Sequence, residues 1–360
     1  MLNRRKRSFR RLCSPCLSVR VPYTRLQGFV RSGLLTFIYK RFLNLVMLVV
    51  LASSLGYFLA ATALNPRENF EGRNPPIPAS TIDHKLDALN MNTKTPILER
   101  YATWASGVVR GDLGDTLSEN SVNDEISRRI WVSLRLLIIG SILGSVLGVL
   151  AGVFSAVRQY KFFDRYFGII SFILLSTPVF LLAILLKFGA INMNNRLGTT
   201  FFYTVGEYTP ELGGGVWDLF VNRLQHLILP TLSISLGGIA FYSRYQRNAM
   251  LDVLSSDHLR TARAKGLTKR QALFKHGLRV AILPMTTFFA YGFGLLITGA
   301  VFTETIFGWN GMGLWFITSV QSNDVNSVAA FVLFSSVLIL LSGFIADVAT
   351  AALDPRVRLR

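Results

Sequence analysis

The chain is poor in the residues that most catalytic and redox sites are built from. Of its 360 residues only two are cysteines, Cys13 and Cys16, in a single C-x-x-C. Such a pair supplies at most two ligands of a tetrahedral zinc site, and no histidine lies near it, so free cytoplasmic thiols are expected and no structural disulfide. The four histidines, His84, His226, His258 and His276, form no H-E-x-x-H or comparable pairing, so the metal-site expectation is none. No G-x-x-x-x-G-K-[ST] string occurs. The chain therefore cannot cradle ATP phosphates by itself, and no cofactor is expected to be bound by it. No nucleophile and base constellation stands out, which argues against a membrane-embedded enzyme. Charge is scarce too, at 16% of residues. Within the apolar runs it is confined to their ends: Arg135 and Lys187 at one side, Arg244, Arg247 and Asp347 at the other. Ion-coupled carriers need acidic or histidine side chains near the bilayer midplane, so a secondary carrier is disfavoured.

What is present is apolar. With 51% hydrophobic residues and a mean hydropathy of +0.42, the chain is too apolar for a soluble domain of its size. The expected fold class is all-α, a polytopic membrane protein. Six runs, at about 42–64, 131–157, 166–188, 227–250, 281–303 and 327–349, each reach the ~20 residues that a spanning helix needs. Placing the N-terminus in the cytoplasm puts 26 of the 38 Lys and Arg residues inside. The inner segments then sum to about +21 and the outer ones to about −3, counting Asp347 as inner, which is the positive-inside pattern. Both termini are accordingly expected in the cytoplasm. The net charge of +18 suggests nucleic acid as another partner. Topology alone explains the clustering of cations at helix ends, so no nucleic-acid partner is expected.

Taken in order, residues 1–33 form a basic cytoplasmic extension, 34–64 the first transmembrane helix and its approach, and 65–130 an external segment stiffened by Asn74-Pro75-Pro76-Ile77-Pro78. Residues 131–349 hold five further helices, with a loop at 251–280, and 350–360 form a cytoplasmic tail. Ala61-Thr62-Ala63 resembles a signal-peptidase site, but the run before it exceeds the 7 to 15 residues of a signal core, so a retained helix is expected. Thr177-Pro178 predicts a kink in the third run, Pro230 opens the fourth, and Arg244 and Arg247 at its inner end are placed to snorkel. Residues 192–222 read as a second external loop. Gly140, Gly144, Gly148 and Gly152 recur at a spacing of four, so one face of the second helix is nearly bare backbone. This is expected to serve helix packing where lipid supplies no hydrophobic driving force.

The basic stretch 257–284, DHLRTARAKGLTKRQALFKHGLRVAILP, lies between two apolar runs and must sit at one membrane face. Ser256 and Asp257 offer N-cap oxygens, Gly266 is placed to end a helix of about two turns, and Thr268 to Gln271 has capping-box spacing. A second helix then runs through Ala272 to Ile282. Arg260, Arg263, Lys265, Lys269, Arg270, Lys275 and Arg279 put cations on nearly every turn, with Asp257 the only acid. Composition alone allows either attraction to anionic membrane lipid or docking of a soluble partner.

Arg260-Thr261-Ala262-Arg263-Ala264-Lys265-Gly266-Leu267, followed after Gly266 by seventeen residues and then Pro284, resembles the cytoplasmic "EAA" loop of bacterial ABC-importer permeases in the dipeptide/oligopeptide/nickel branch, B-type subunit. Further segments carry the same resemblance. They are Gly111-Asp112-Leu113-Gly114, the stretch from Glu304 to Gly313 in which Asn310 stands where the family has proline, and the tail Leu353-Asp354-Pro355-Arg356-Val357-Arg358. The resemblance implies the type I importer fold with six transmembrane helices, in the bacterial cytoplasmic membrane. It also implies a coupling helix at Asp257, Arg260, Thr261, Ala262, Arg263, Ala264, Lys265 and Gly266. The partners it implies are a second permease subunit, one or two ATPase subunits that use ATP and Mg, and an external substrate-binding protein. Short peptides are the expected cargo, with nickel or a small peptide-like solute such as glutathione as the alternative.

Overall fold

The computed structural model describes residues 23–71, 74–210 and 213–353. For 23–35, 286–287, 290–291, 293–299 and 349–353 it describes the backbone alone. The arginine-rich start of the chain, Cys13, Cys16 and the tail from Asp354 lie outside the described residues.

A chain in hydrocarbon must satisfy its backbone groups internally, and helices do this within one segment. The described residues contain no β-strand beyond an isolated antiparallel bridge between Asp115 and Ser121. The first long helix, α1, covers Tyr23–Ala63. A 3₁₀ turn Pro66–Asn69 and two short helices, α2 (Ala79–Ala88) and α3 (Ile97–Arg110), follow it. The long helix α4 covers Val122–Val157, α5 Phe162–Ser176, α6 Val179–Leu197 and α7 Val216–Leu254. The loop between the fourth and fifth apolar runs holds α8 (Asp257–Ala264) and α9 (Lys269–Ala272). A π turn, Leu273–Gly277, then opens into α10 (Leu278–Phe307), and α11 (Met312–Gln321) and α12 (Val325–Leu353) complete the fold. Among the described residues, α1 from Thr36, α4, α7 and α12 to Val348 are long and apolar enough to cross a membrane, and α5 with α6 makes a fifth if the pair is one span.

Two sequence expectations change here. The third run does not form one kinked helix: α5 and α6 meet at 109° across Thr177-Pro178. Proline lacks the N–H that would continue α5 and pushes the residue before it out of the helical region, and Thr177 is extended at φ −91°, ψ 122°. Pro230 does not open the fourth helix either, because α7 starts at Val216 and carries Pro230 in its interior. The polar residues before it are helical because they have partners. Asn222 Oδ1 accepts the Thr209 amide at 2.8 Å, and His226 lies 3.0 Å from the Gly206 carbonyl and stacks on Tyr203.

The centre of the molecule is the contact of α4 with α7. A methyl group added at Gly144 would lie 3.3 Å from the Gly238 Cα, one at Gly148 2.7 Å from the Tyr242 Cβ, and one at Gly152 2.5 Å from the Ser243 carbonyl. Gly140 meets Ile234 in the same way. All four glycines lie on one face, and α7 rests on it with backbone close to backbone.

The segment between α1 and α4 is folded on its own aromatic cluster. Tyr57 stacks on Trp104 and Phe58 on Tyr101, each with centroids 4.8 Å apart, over buried Leu86 and Met91. Asp83 binds Arg67 and Lys94 across this segment, and the Lys94 hydrogen bond, with Arg67 beside it, holds the Asp83 carboxyl below its ordinary value. The start of α12 staples the segment down. Asn326 donates to the carbonyls of Leu89 (3.0 Å) and Asp115 (2.9 Å), and Asp324 accepts the Leu117 amide at 2.8 Å.

Gly152→Ala is expected to force α4 and α7 apart at a cost of about 1–3 kcal/mol. Gly189→Ala in α6, where an added methyl meets nothing within 4 Å, should leave stability unchanged or raise it by up to about 1 kcal/mol. Thermal unfolding of the two variants in detergent separates these outcomes.

Candidate coupling site and the groove above it

The loop between α7 and α10 is built on local hydrogen bonds. Ser256 takes the N-cap backbone conformation, but its hydroxyl donates back to the Val253 carbonyl at 2.5 Å and does not cap α8. That carbonyl, in the last turn of α7, also accepts the Ser256 amide at 3.1 Å. At the other end of α8 the Gly266 amide donates to Arg263 O at 2.9 Å and the Leu267 amide to Ala262 O at 3.4 Å, with Gly266 at φ +94°. These two bonds form a Schellman motif, and the positive φ is one that glycine adopts without a Cβ penalty. Thr268 Oγ1 then accepts the Gln271 amide at 3.2 Å while Gln271 Oε1 accepts the Thr268 amide at 3.1 Å, closing the capping box. The following helix is continuous with α10 through the π turn. Gly277 in that turn leaves room for Leu259, whose Cδ1 would be 3.1 Å from an added methyl.

Asp257, Arg260, Thr261, Arg263, Ala264, Lys265 and Gly266 are all exposed. Ala262, grouped with them from the sequence, faces the other way. It is buried beside Leu259, Met250, Val253, Leu273 and the α4 residue Ala156. It seats α8 in an apolar cluster that takes in Ala156 of α4, Met250 and Val253 of α7 and Ala281 of α10. Asp257 and Arg260 approach to 3.4 Å, yet both are largely exposed, and a pair of that kind contributes little.

A second polar centre sits beside this loop and was not legible in the sequence. Asp164, at the start of α5, accepts Arg247 Nε at 2.6 Å and Nη2 at 2.8 Å, the Tyr160 amide at 2.8 Å and the Ser155 hydroxyl. Arg247, expected to snorkel, is held in a bidentate pair that ties α7 to α5. A lone acid among Arg158, Lys161 and Arg165 was the available signal. The other end-of-helix charges are also engaged: Arg41 with Asp347 at 2.7 Å, Arg135 with Glu207 at 2.6 Å, and Lys187 with the Ile306 carbonyl at 2.5 Å.

Two separate pockets lie along α7, on a face that carries Gly237, Phe241, Arg244 and Asn248. The apolar one, about 310 Å³, lies among α4, α7 and α10 and is lined by Gly140, Gly144, Gly237, Leu175 and Phe288. The polar one, about 330 Å³, lies between α5 and α7 and is lined by Arg244, Asn248, Ser171 and Ser243. A side chain at Gly237 would enter open space, so the residue there is set by the pocket and not by packing.

At the opposite end Glu304 organises the turn from α10 to α11. Its buried carboxylate accepts the Ser133 hydroxyl at 2.5 Å and the Gly313 and Leu314 amides at 2.6 and 3.2 Å. Asn310 accepts Arg129 at 2.5 Å. A side-chain bond from Arg129 thus fixes the turn at Asn310.

Long apolar helices, paired charges at their ends and a rigid polar insert on one face define a membrane transport subunit. Residues 148–359 match the family of binding-protein-dependent transport system inner membrane components, and the chain belongs to that family, the ABC-importer permeases. It is 50% identical over 323 residues to the oligopeptide transport system permease protein OppB of Mycobacterium tuberculosis, covering 90% of this chain and 99% of the relative. It is also 34% identical to the oligopeptide transport system permease protein AppB of Bacillus subtilis, over 79% of this chain and 87% of that protein. A third relative, the glutathione transport system permease protein GsiC of Escherichia coli, is 30% identical over 91% of this chain and all of its own length.

Asp164→Asn would turn an amide nitrogen toward donors that now share a carboxylate, leaving Arg247 uncompensated in a half-buried site. A loss of about 3 kcal/mol is expected, read as a lowered unfolding temperature of the subunit in detergent. The double substitution Asp164→Leu with Arg247→Met should recover most of it.

Proposed function

We propose that the chain is the B-type permease subunit of an ATP-driven importer of short peptides, forming half of the translocation path and receiving the ATPase stroke through α8. The observation that carries this reading is the seating of α8. Its buried residues Leu259 and Ala262 rest on α9 and the π turn, in one apolar cluster with Ala156 of α4, Met250 and Val253 of α7 and Ala281 of α10, while Asp257, Arg260, Arg263 and Lys265 are exposed. An ATPase that grips those exposed residues moves α4, α7 and α10 together, and alternating access needs such a rigid-body displacement. Peptide cargo is supported by the names of the OppB and AppB relatives, and glutathione, from the GsiC relative, is the second reading.

In this proposal six helices cross the bacterial cytoplasmic membrane: α1, α4, the bent pair α5 and α6, α7, α10 and α12. Both termini are cytoplasmic, residues 65–130 lie outside and the loop 251–280 lies inside. Gly140, Gly144, Gly148 and Gly152 hold the two central spans together. A second, homologous permease completes the path, one or two ATPase subunits use ATP and Mg, and an external substrate-binding protein docks on the outer surface. The surrounding membrane lipid is the remaining partner.

Two experiments test the proposal. Gly266→Val meets no neighbour within 4 Å, so its effect is on the backbone alone. It should cut ATP-driven peptide uptake by the reconstituted complex at least about tenfold, since misplacing a two-turn coupling element breaks the mechanical link, while membrane insertion stays intact. Unchanged uptake refutes the coupling role. For orientation, Cys13 and Cys16 are first replaced by serine, then single cysteines are placed at the exposed positions Lys275 and Val216. The first should react only with a reagent added from the cytoplasm and the second only with one added from outside; reversed labelling refutes the topology.

A further inference from the structure

The charges at the helix ends follow one rule, with an exception. Arg41, Arg135 and Arg247 each meet a carboxylate, and Lys187 meets a backbone carbonyl. Arg244, one helix turn from Arg247 on α7, has no carboxylate partner among the described residues. Its guanidinium lies over the Phe172 ring of α5, 3.5 Å from the centroid. That stacking holds a planar cation in the pocket wall and leaves its edge N–H groups free to donate.

The surroundings of Arg244 suit an anion. The polar pocket, about 330 Å³, also carries Arg165, the Asn248 amide and the Ser171 and Ser243 hydroxyls. Ser171 and Ser243 lie 3.4 Å from each other, one on each wall. The single acid there, Asp164, is fully engaged by Arg247, Ser155 and the Tyr160 amide. With Asp164 and Arg247 cancelling, the pocket keeps two uncompensated cations, Arg165 and Arg244. One to two helix turns along α7 lies the uncharged pocket lined by Gly237, Leu175, Phe241 and Phe288.

We infer that Arg244, stacked on Phe172, is the group on the path that receives the C-terminal carboxylate of the transported peptide. The inference rests on the peptide-import reading above. A carboxylate matches the guanidinium edge with two parallel hydrogen bonds, and the Asn248 amide on the same pocket wall can donate a further one. Arg244 is therefore a recognition residue of the path, and Arg165 sustains the positive potential around it.

The test uses the full complex, with its ATPases and binding protein, in proteoliposomes. A labelled pentapeptide with a free C-terminus is compared with the same peptide as its C-terminal amide. For each peptide the variant rate is divided by the wild-type rate, which removes any preference of the binding protein. Arg244→Gln should lower import of the free acid about tenfold, the range for loss of a charge-assisted bond, and leave the amide within about twofold. Arg244→Lys, which keeps the charge and the positive-inside signal but not the fork, should restore part of the free-acid rate. Arg165→Gln should act in the same direction with a smaller loss. Equal loss on both peptides would make Arg244 a topological or lipid-facing anchor, and no loss on either would remove it from the path; both results overturn the inference. A wild-type complex that imports neither peptide would instead overturn the peptide-import reading itself.

Discussion

The approach of α4 to α7 without intervening side chains is the contact on which the rest of the structure depends. In a bilayer, apolar residues gain nothing by leaving lipid for protein, so helices associate through close packing and polar contacts. Gly144 against Gly238 and Gly152 against the Ser243 carbonyl give that packing its closest form. Because the two helices touch along their backbones, they have no flexible layer between them. Each of the functional parts described above is attached to this pair: α8 through Ala156, Met250 and Val253, the apolar pocket through Gly237 and Phe241, and the outer turn through Ser133.

Polar groups are handled in a second, consistent way. Charges near the helix ends are joined into pairs between segments distant in sequence, Arg247 of α7 to Asp164 of α5 at one end and Arg135 of α4 to Glu207 in the loop before α7 at the other. Glu304 is buried but is surrounded by a hydroxyl and two amides. The result is a subunit whose edges are cross-braced while its middle carries no charge.

Local motifs were the most legible part of the sequence. Gly266, with its φ of +94°, and the Thr268 to Gln271 capping box are set by residues within five positions of one another, so spacing alone reveals them. The glycine spacing of α4 was legible for the same reason, since a period of four maps to one helix face. The missed features are those that depend on distant partners. Asp164 and Arg247 are 83 residues apart, and nothing local distinguishes a paired arginine from one that reaches for the membrane surface. The start of α7 was misplaced because Asn222 and His226 read as loop residues until the segment 203–209 folds over them. Ala262 was assigned to the wrong face because alanine suits either side of a short helix, and only the core beneath α8 decides between them.

The right-angled break at Thr177-Pro178 has a consequence for water. At 1.5 Å per residue, the 15 residues of α5 extend only about 22 Å, less than the ~30 Å of hydrocarbon, so α5 alone is too short to cross it. The hydroxyls of Ser176 and Thr177 both bend back onto the Ile173 carbonyl, leaving the other carbonyls that end α5 without those donors. Bare peptide oxygen in hydrocarbon is tolerated only against protein or in a hydrated cavity. A corner of this kind inside a bilayer therefore calls for water or a neighbouring protein surface against it, where a straight helix would call for neither.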